Sequence, residues 1–349
     1  MAAEPTTILF GSFLLLLAIG APITVALGVS SLISFLVLGE NPIKFVQIAF
    51  TSVGSFPLMA LPAFILAGAL MEAAGILKRL INVAESFAGP FTGGISAATV
   101  MACLFFGAIS GSGPATTAAV GMLMIPAMIT RGYDRGYASA VTASSGGLGI
   151  VIPPSIPMVI FGIAALGMVP PPEAVTQFGT FQSVSISKLF IAGFVPAFLI
   201  AASLLFMNFL LARKRGYSGN AEGWSAQLIV TQMYKGFWSL MAPLVILGGF
   251  YTGFFTLTEA AIVAIAYTLF VGVVIYRELT WASLFQSLEA TTWLTGRVLL
   301  ILFTTTVFGR LLVENQIPEA MLDLTSNIYL IWALVIFFLL FVGMFLAPL

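Results

Sequence analysis

The sequence predicts an all-α polytopic membrane protein, and two observations predict it. Of 349 residues, 60% are hydrophobic and 7% charged, where an ordinary soluble domain carries roughly 25% charged residues. Too little polar side chain remains to cover a body of this size with a water-facing surface. The apolar residues also run without interruption, as in residues 8–38, ILFGSFLLLLAIGAPITVALGVSSLISFLVL. A membrane barrel strand would alternate polar and apolar over about ten residues. The runs are therefore helical, the other structure that satisfies its own backbone inside hydrocarbon.

Composition also removes whole classes of function. The chain has no histidine and one cysteine, Cys103. Ser–His and Cys–His catalysis, imidazole metal sites and histidine proton relays are excluded, and so is an intrachain disulfide. The expectation is a protein that is not an enzyme. Net charge is zero, which points away from nucleic acid as a partner. The start, MAAEPTT, holds an acid and no base ahead of an apolar run too long for a signal-peptide core, so no cleaved leader is expected.

In chain order, segments long enough to cross a bilayer, by the rule of about 20 residues, fall at 6–38, 57–77, 186–212, 237–276 with a break at GGFYTGFFTLTE, 291–313 and 328–349. Arg213, Lys214 and Arg215 place the end of helix 186–212 in the cytoplasm by the positive-inside rule. The polar stretch that follows, up to residue 235, is the best boundary between halves. AGALMEAAGI (67–76) and FGRLLVENQI (308–317) each put a glutamate, Glu72 or Glu314, on an apolar helix just before a turn. Gly- or Pro-interrupted segments in corresponding places suggest the inverted repeats of secondary transporters.

Residues 95–130 and 138–168 are each too long for one straight crossing and each is broken near its middle. A continuous helix over the first would be roughly 50 Å long against a hydrocarbon core of about 30 Å. Cut at SGSGP, it gives two half-helices of roughly 20 Å, suited to a hairpin that enters and leaves by one face. Gly111 and Gly113 allow a tight turn, Pro114 suits a first helical position, and Ser112 or Gly113 can cap the second half. The N-terminal turn of that second half, with Ser112, Pro114, Thr116 and Thr117, presents a positive helix end to a carboxylate. These four are the expected substrate contacts. A tight turn between short packed helices, with small residues serving close approach, is the structural alternative.

In SSGGLGIVIPPSIPM (144–158), Pro153, Pro154 and Pro157 have no N–H to give. The carbonyls of Gly149, Ile150 and Pro153 are thus expected to lack helical partners. Irregular backbone at membrane depth is tolerated where it is buried or lines a cavity. Bare carbonyls and hydroxyls without a compensating charge suit Na⁺; a proline kink patched by serine and water is the plainer reading. Thr256 and Glu259 form a capping box opening AAIVAIAYTLF. Arg310 and Glu314 are an i, i+4 pair, and Arg297 snorkels.

FPLMALPAFILAG (56–68), GAISGSGPATTAAVG (107–121), GLGIVIPPSIPM (147–158), VSISKLFIAGFVP (184–196) and TLTEAAIVA (256–264) occur in that order. Together they closely resemble the large membrane (M) subunit of tripartite ATP-independent periplasmic (TRAP) transporters, over essentially the whole chain. The resemblance implies sodium-coupled uptake of a small organic carboxylate: a dicarboxylate, sialic acid, keto acid or sugar acid. It implies an inner-membrane protein with an inverted-repeat elevator fold of re-entrant hairpins and broken helices. Its partners would be a periplasmic substrate-binding protein (P type) and a small four-helix membrane subunit (Q type).

Carried onto this chain, the family's sodium site falls on Ser110, Gly113, Gly149, Ile152 and Pro153. Gly113 stands where many relatives have a second serine, which leaves its backbone carbonyl as the ligand. GLGIVIPPS also lacks the commoner Gly-Pro before the apolar pair. The implied organisation is scaffold helices of a first repeat at 1–55, and a first part of a transport domain at 56–168 with hairpin 95–130 and broken helix 138–168. A connecting loop, helix 186–212 and linker follow at 169–235, then a second repeat at 236–349. Loop 169–183 looks longer than usual and has no assigned role.

Within the first repeat, the run from Glu72 through the hairpin and broken helix to Arg213 is long, whereas the chain ends at Leu349, soon after Glu314. The duplication therefore predicts a second repeat incomplete by on the order of 100 residues, with GMFLAPL opening a second hairpin. Among other classes, an intramembrane serine protease lacks a base near its serines, and a channel lacks a continuous polar pore. A stand-alone sodium–dicarboxylate symporter of related architecture is the alternative; a binding protein encoded nearby would discriminate.

Overall fold

The structure, a computed structural model, describes residues 5–54, 56–166, 185–219, 223–317 and 327–345. The described residues contain helices and connecting turns and no strand. Loop 169–183 and the terminal segment 346–349 lie outside them. Among the described residues five helices are long and apolar enough to cross a membrane, or up to seven spans if each of two bent pairs counts as one. The chain divides into two compact units, one of Met1–Ser55 with Leu294–Leu349, the other of Phe56–Trp293. The division falls inside a helix.

The first unit begins with α1 (Pro5–Ala18) and α2 (Ile23–Val37). The single long apolar segment expected at 6–38 is thus two short helices. The reason is local: Pro22 supplies no N–H, and the amides of Gly20 and Ala21 turn back to Leu17 O and Leu16 O, a glycine-terminated helix end. Helix α3 (Pro42–Val53) starts where the Asn41 side chain accepts the Ile43 N–H. Leu9, Phe35 and Ala49 are buried with Val307, Phe308 and Leu311 from the last turns of a helix that ends at Glu314. Lys44 reaches Glu40 at 2.8 Å and Glu314 at 3.4 Å, and the expected Arg310–Glu314 pair forms at 2.9 Å.

The second unit opens with a short 3₁₀ turn (Phe56–Met59) and α4 (Ala60–Ala73), which bends by 68° into α5 (Ile76–Ala88). Next come α6 (Gly94–Ser110), α7 (Gly113–Thr130), α8 (Arg135–Gly146), the single turn α9 (Leu148–Val151) and α10 (Ile156–Leu166). Helix α11 (Ile186–Arg215) ends on Arg213, Lys214 and Arg215, cations placed at the negative end of its dipole. An exposed helix, α12 (Ala226–Lys235), meets α13 (Phe237–Tyr251) at 57°.

Helix α14 (Leu257–Phe270) begins with the expected capping box: Thr256 Oγ1 accepts the Glu259 N–H, and the Glu259 carboxylate accepts the Thr256 N–H. A π-helical turn (Val271–Ile275) follows, then α15 (Trp281–Glu314), in which the two units are divided, and α16 (Ile328–Phe345) in the first unit. The core of the second unit gathers Leu77 of α5, Ala98, Cys103 and Phe106 of α6, and Val120, Met124 and Met128 of α7.

Candidate functional site

Both broken segments of the sequence lie in the second unit, and their breaks meet. Helices α6 and α7 fold back on each other: the Thr99 hydroxyl, near the start of α6, lies 4.0 Å from the Met128 sulphur near the end of α7. The turn between them needs only Gly111 and Ser112, because Gly111 takes φ +63°, a conformation costly for a residue with a Cβ. Ser112 caps α7, accepting the Ala115 N–H, and Pro114 falls in the first turn, as expected.

Opposite this tip, α8 and α9 end at Val151 and α10 begins at Ile156. The four residues between carry Pro153 and Pro154, and the two elements touch backbone to backbone. A Cβ on Gly107 would lie 2.7 Å from Gly149 Cα; one on Gly149 would lie 2.7 Å from Ser112 O and 2.5 Å from Thr116 Oγ1. The Ile156 N–H donates to Gly111 O at 3.2 Å, stitching the start of α10 to the hairpin tip.

Oxygen atoms concentrate at this crossing. Ser110 Oγ and Thr116 Oγ1 are 2.8 Å apart, and Thr116 Oγ1 donates to Ser112 O at 2.8 Å, with Ser110 Oγ 3.4 Å from the same carbonyl. Ser110, Ser112 and Thr116 are 3%, 7% and 0% exposed, so these groups are shielded from bulk solvent. The ends of α6 and α9 contribute the negative poles of their backbones and the starts of α7 and α10 the positive ones. The named oxygens are all neutral, and no cluster of three or more His, Cys, Asp or Glu occurs among the described residues.

Such a set suits a hard monovalent cation, which takes carbonyl and hydroxyl oxygens in place of its water. It lacks the carboxylates that usually bind Ca²⁺. Of the expected cation ligands, Ser110, Gly113 and Gly149 come together here. Ile152 packs its buried side chain near Gly107 and gives its N–H to Leu148 O. Pro153 is buried in the break. The carbonyls of Gly149 and Pro153 face proline four residues on, so neither can receive the ordinary helical N–H. One expectation is corrected: the Ile150 carbonyl is not bare, because the Ser155 hydroxyl donates to it. At this carbonyl the plainer reading holds, a proline kink patched by serine, and Ser155 directly after the proline pair is the residue that does it.

The expected substrate residues divide between two faces of α7. Thr116 turns inward to Ser110 and Gly149. Thr117 donates to Gly113 O at 2.9 Å and lies so close to Gly146 of α8 that a Cβ there would overlap its hydroxyl. Pro114 is exposed. Pro114 marks the exposed side of the tip, Ser112 is buried beside it, and Thr116 stands with Ser110 and Gly149, two of the expected cation ligands.

Comparison with known proteins gives a concordant result. Residues 10–349 match the family model described as "Tripartite ATP-independent periplasmic transporter, DctM component". The chain is 38% identical to the isethionate TRAP transporter permease protein DctMQ of Oleidesulfovibrio alaskensis, over 99% of this chain and 53% of that protein. It is 36% identical to the C4-dicarboxylate TRAP transporter large permease protein DctM of Rhodobacter capsulatus, over 93% of this chain and 73% of the relative. To the sialic acid TRAP transporter permease protein SiaT of Haemophilus influenzae it is also 36% identical, over 95% of this chain and 52% of the relative. The chain thus spans about half the length of two of these relatives.

Proposed function

Because this chain belongs to the DctM component family of tripartite ATP-independent periplasmic transporters, we propose that it carries a small organic carboxylate into the cell, coupled to Na⁺. The relatives named for C4-dicarboxylate and sialic acid support a carboxylate as cargo, and the one named for isethionate, a sulfonate, widens the class to small organic anions. A periplasmic substrate-binding protein would deliver that acid, and a small membrane subunit would work beside the chain in the inner membrane. The relative named DctMQ is consistent with such a pairing.

The observation that carries the reading is the crossing of hairpin and broken helix. Neutral oxygens from Ser110, Ser112 and Thr116 are packed against Gly149, beside carbonyls that proline leaves without donors. Na⁺ would displace hydroxyl-to-carbonyl hydrogen bonds and satisfy those oxygens together. Its charge, set beside the positive start of α7, would favour a carboxylate at the tip near Ser112 and Pro114. Cation and anion would then help each other to bind, and the hairpin with its broken helix would move as one body past a fixed scaffold, an elevator. In this reading residues 56–168 supply the first part of the moving body.

Uptake by proteoliposomes holding the chain with its partner proteins tests the coupling. Transport is expected with Na⁺ outside and lost when K⁺ or choline replaces it. Undiminished uptake in choline would remove the sodium assignment.

A further inference from the structure

A cavity in the second unit lies away from the hairpin, at the elbow where α12 meets α13. It has a volume of about 540 Å³, with Lys78, Arg79 and Lys235 among its lining cations and Phe237, Trp238 and Ile275 among its apolar walls. We propose that this cavity binds the phosphodiester headgroup of an anionic phospholipid.

Two of the three cations are not consumed by the protein itself, whereas Arg79 is paired with Glu278, an acid that also lines the cavity. Among the described residues neither Lys78 nor Lys235 enters an ion pair, and both are exposed. Arg79 is held in place: its guanidinium stacks 3.6 Å over the Tyr276 ring and donates to Glu278 at 2.8 Å and to Gly75 O at 3.0 Å. A fixed arginine flanked by two unpaired lysines can contact several phosphate oxygens together, the arrangement that gives an anion site its strength.

The surroundings place the cavity at headgroup depth. Leu228, Val230, Met233 and Tyr234 of α12 are 44%, 65%, 43% and 85% exposed, and Trp238 at the start of α13 is 38% exposed. A short exposed helix with such residues, joined at 57° to an apolar helix, is the form of a segment lying in the interface. Lysines at that depth attract anionic lipid. The apolar walls favour a headgroup still attached to its glycerol and acyl chains over a free anion.

Native mass spectrometry of the full chain in detergent tests this with dihexanoyl phosphatidylglycerol, dihexanoyl phosphatidylcholine and inorganic phosphate. Phosphatidylglycerol is expected to be retained at least tenfold better than phosphatidylcholine. In Lys78→Gln/Lys235→Gln that ratio should fall below about twofold, while Lys78→Arg/Lys235→Arg and Arg213→Gln/Lys214→Gln keep it. Equal retention of the two lipids by the unaltered protein would overturn the proposal, whatever the stability of the variants. So would displacement of phosphatidylglycerol by equimolar phosphate, which would make this a free-anion site. Loss of the preference in the Arg213/Lys214 variant would show diffuse surface charge in place of the cavity.

Discussion

Thr116 has no net charge and no exposed surface, yet it occupies the centre of the proposed sodium chemistry. Its hydroxyl can donate to Ser112 O or turn its lone pairs toward a cation, and Ser110 Oγ sits 2.8 Å away to do the same. Thr116→Val keeps the shape and removes the oxygen. It is expected to raise the Na⁺ concentration for half-maximal uptake by about tenfold, equivalent to about 1.4 kcal/mol, with Ser110→Ala acting in the same direction. Gly149→Ala fails differently, because the added methyl would press on Ser112 O and Thr116 Oγ1. Overpacking of this kind costs about 1–3 kcal/mol, so both thermal stability and uptake should drop, whereas Gly248→Ala, with open space around it, should change neither. Sodium titrations of uptake beside thermal melts separate the two classes; an unchanged sodium requirement in Thr116→Val would take this residue out of the site. That Thr116 belongs with Ser110 was hidden in the sequence. The six-residue separation becomes a contact only after the chain has doubled back at Gly111.

At the scale of elements, the breaks within 95–130 and 138–168 were legible because glycine and proline mark them chemically. The same signals stood at Gly20 and Pro22, but the apolar run on either side concealed the turn between α1 and α2. The turn after Glu72 was legible in AGALMEAAGI, and the chain bends there by 68° near Gly75, inside the segment 57–77 that read as one apolar crossing. The direction of the hairpin can be tested by its tip. With Cys103, which is fully buried, replaced by alanine, Ser112→Cys should react with a membrane-impermeant thiol reagent from one side alone. The rate should change when Na⁺ or substrate is added. The weaker cap costs about 1 kcal/mol, which the fold should tolerate. A tip that stays unreactive from both sides under every condition would favour a turn with a purely structural role.

For the molecule as a whole, composition was enough to establish helices in a membrane, because 7% charged residues cannot clothe a soluble body. Composition and motif could not locate the division at residues 293–294 inside α15; that depends on which long-range contacts form, and periodicity within one helix carries no record of them. The neutral oxygens at the crossing of hairpin and broken helix have a consequence for the environment in which the protein can work. Hydroxyls and peptide carbonyls neither gain nor lose protons across the range of about pH 5–8 in which histidine normally switches, and the chain has no histidine to couple to them. Sodium-dependent uptake measured at fixed Na⁺ and substrate should therefore vary less than about twofold between pH 6 and 8 for a cargo already ionised throughout that range. A steep proton dependence would point to a carboxylate in the coupling step. A cell relying on such a device could feed through swings in the acidity of its surroundings, provided that it kept salt moving outward.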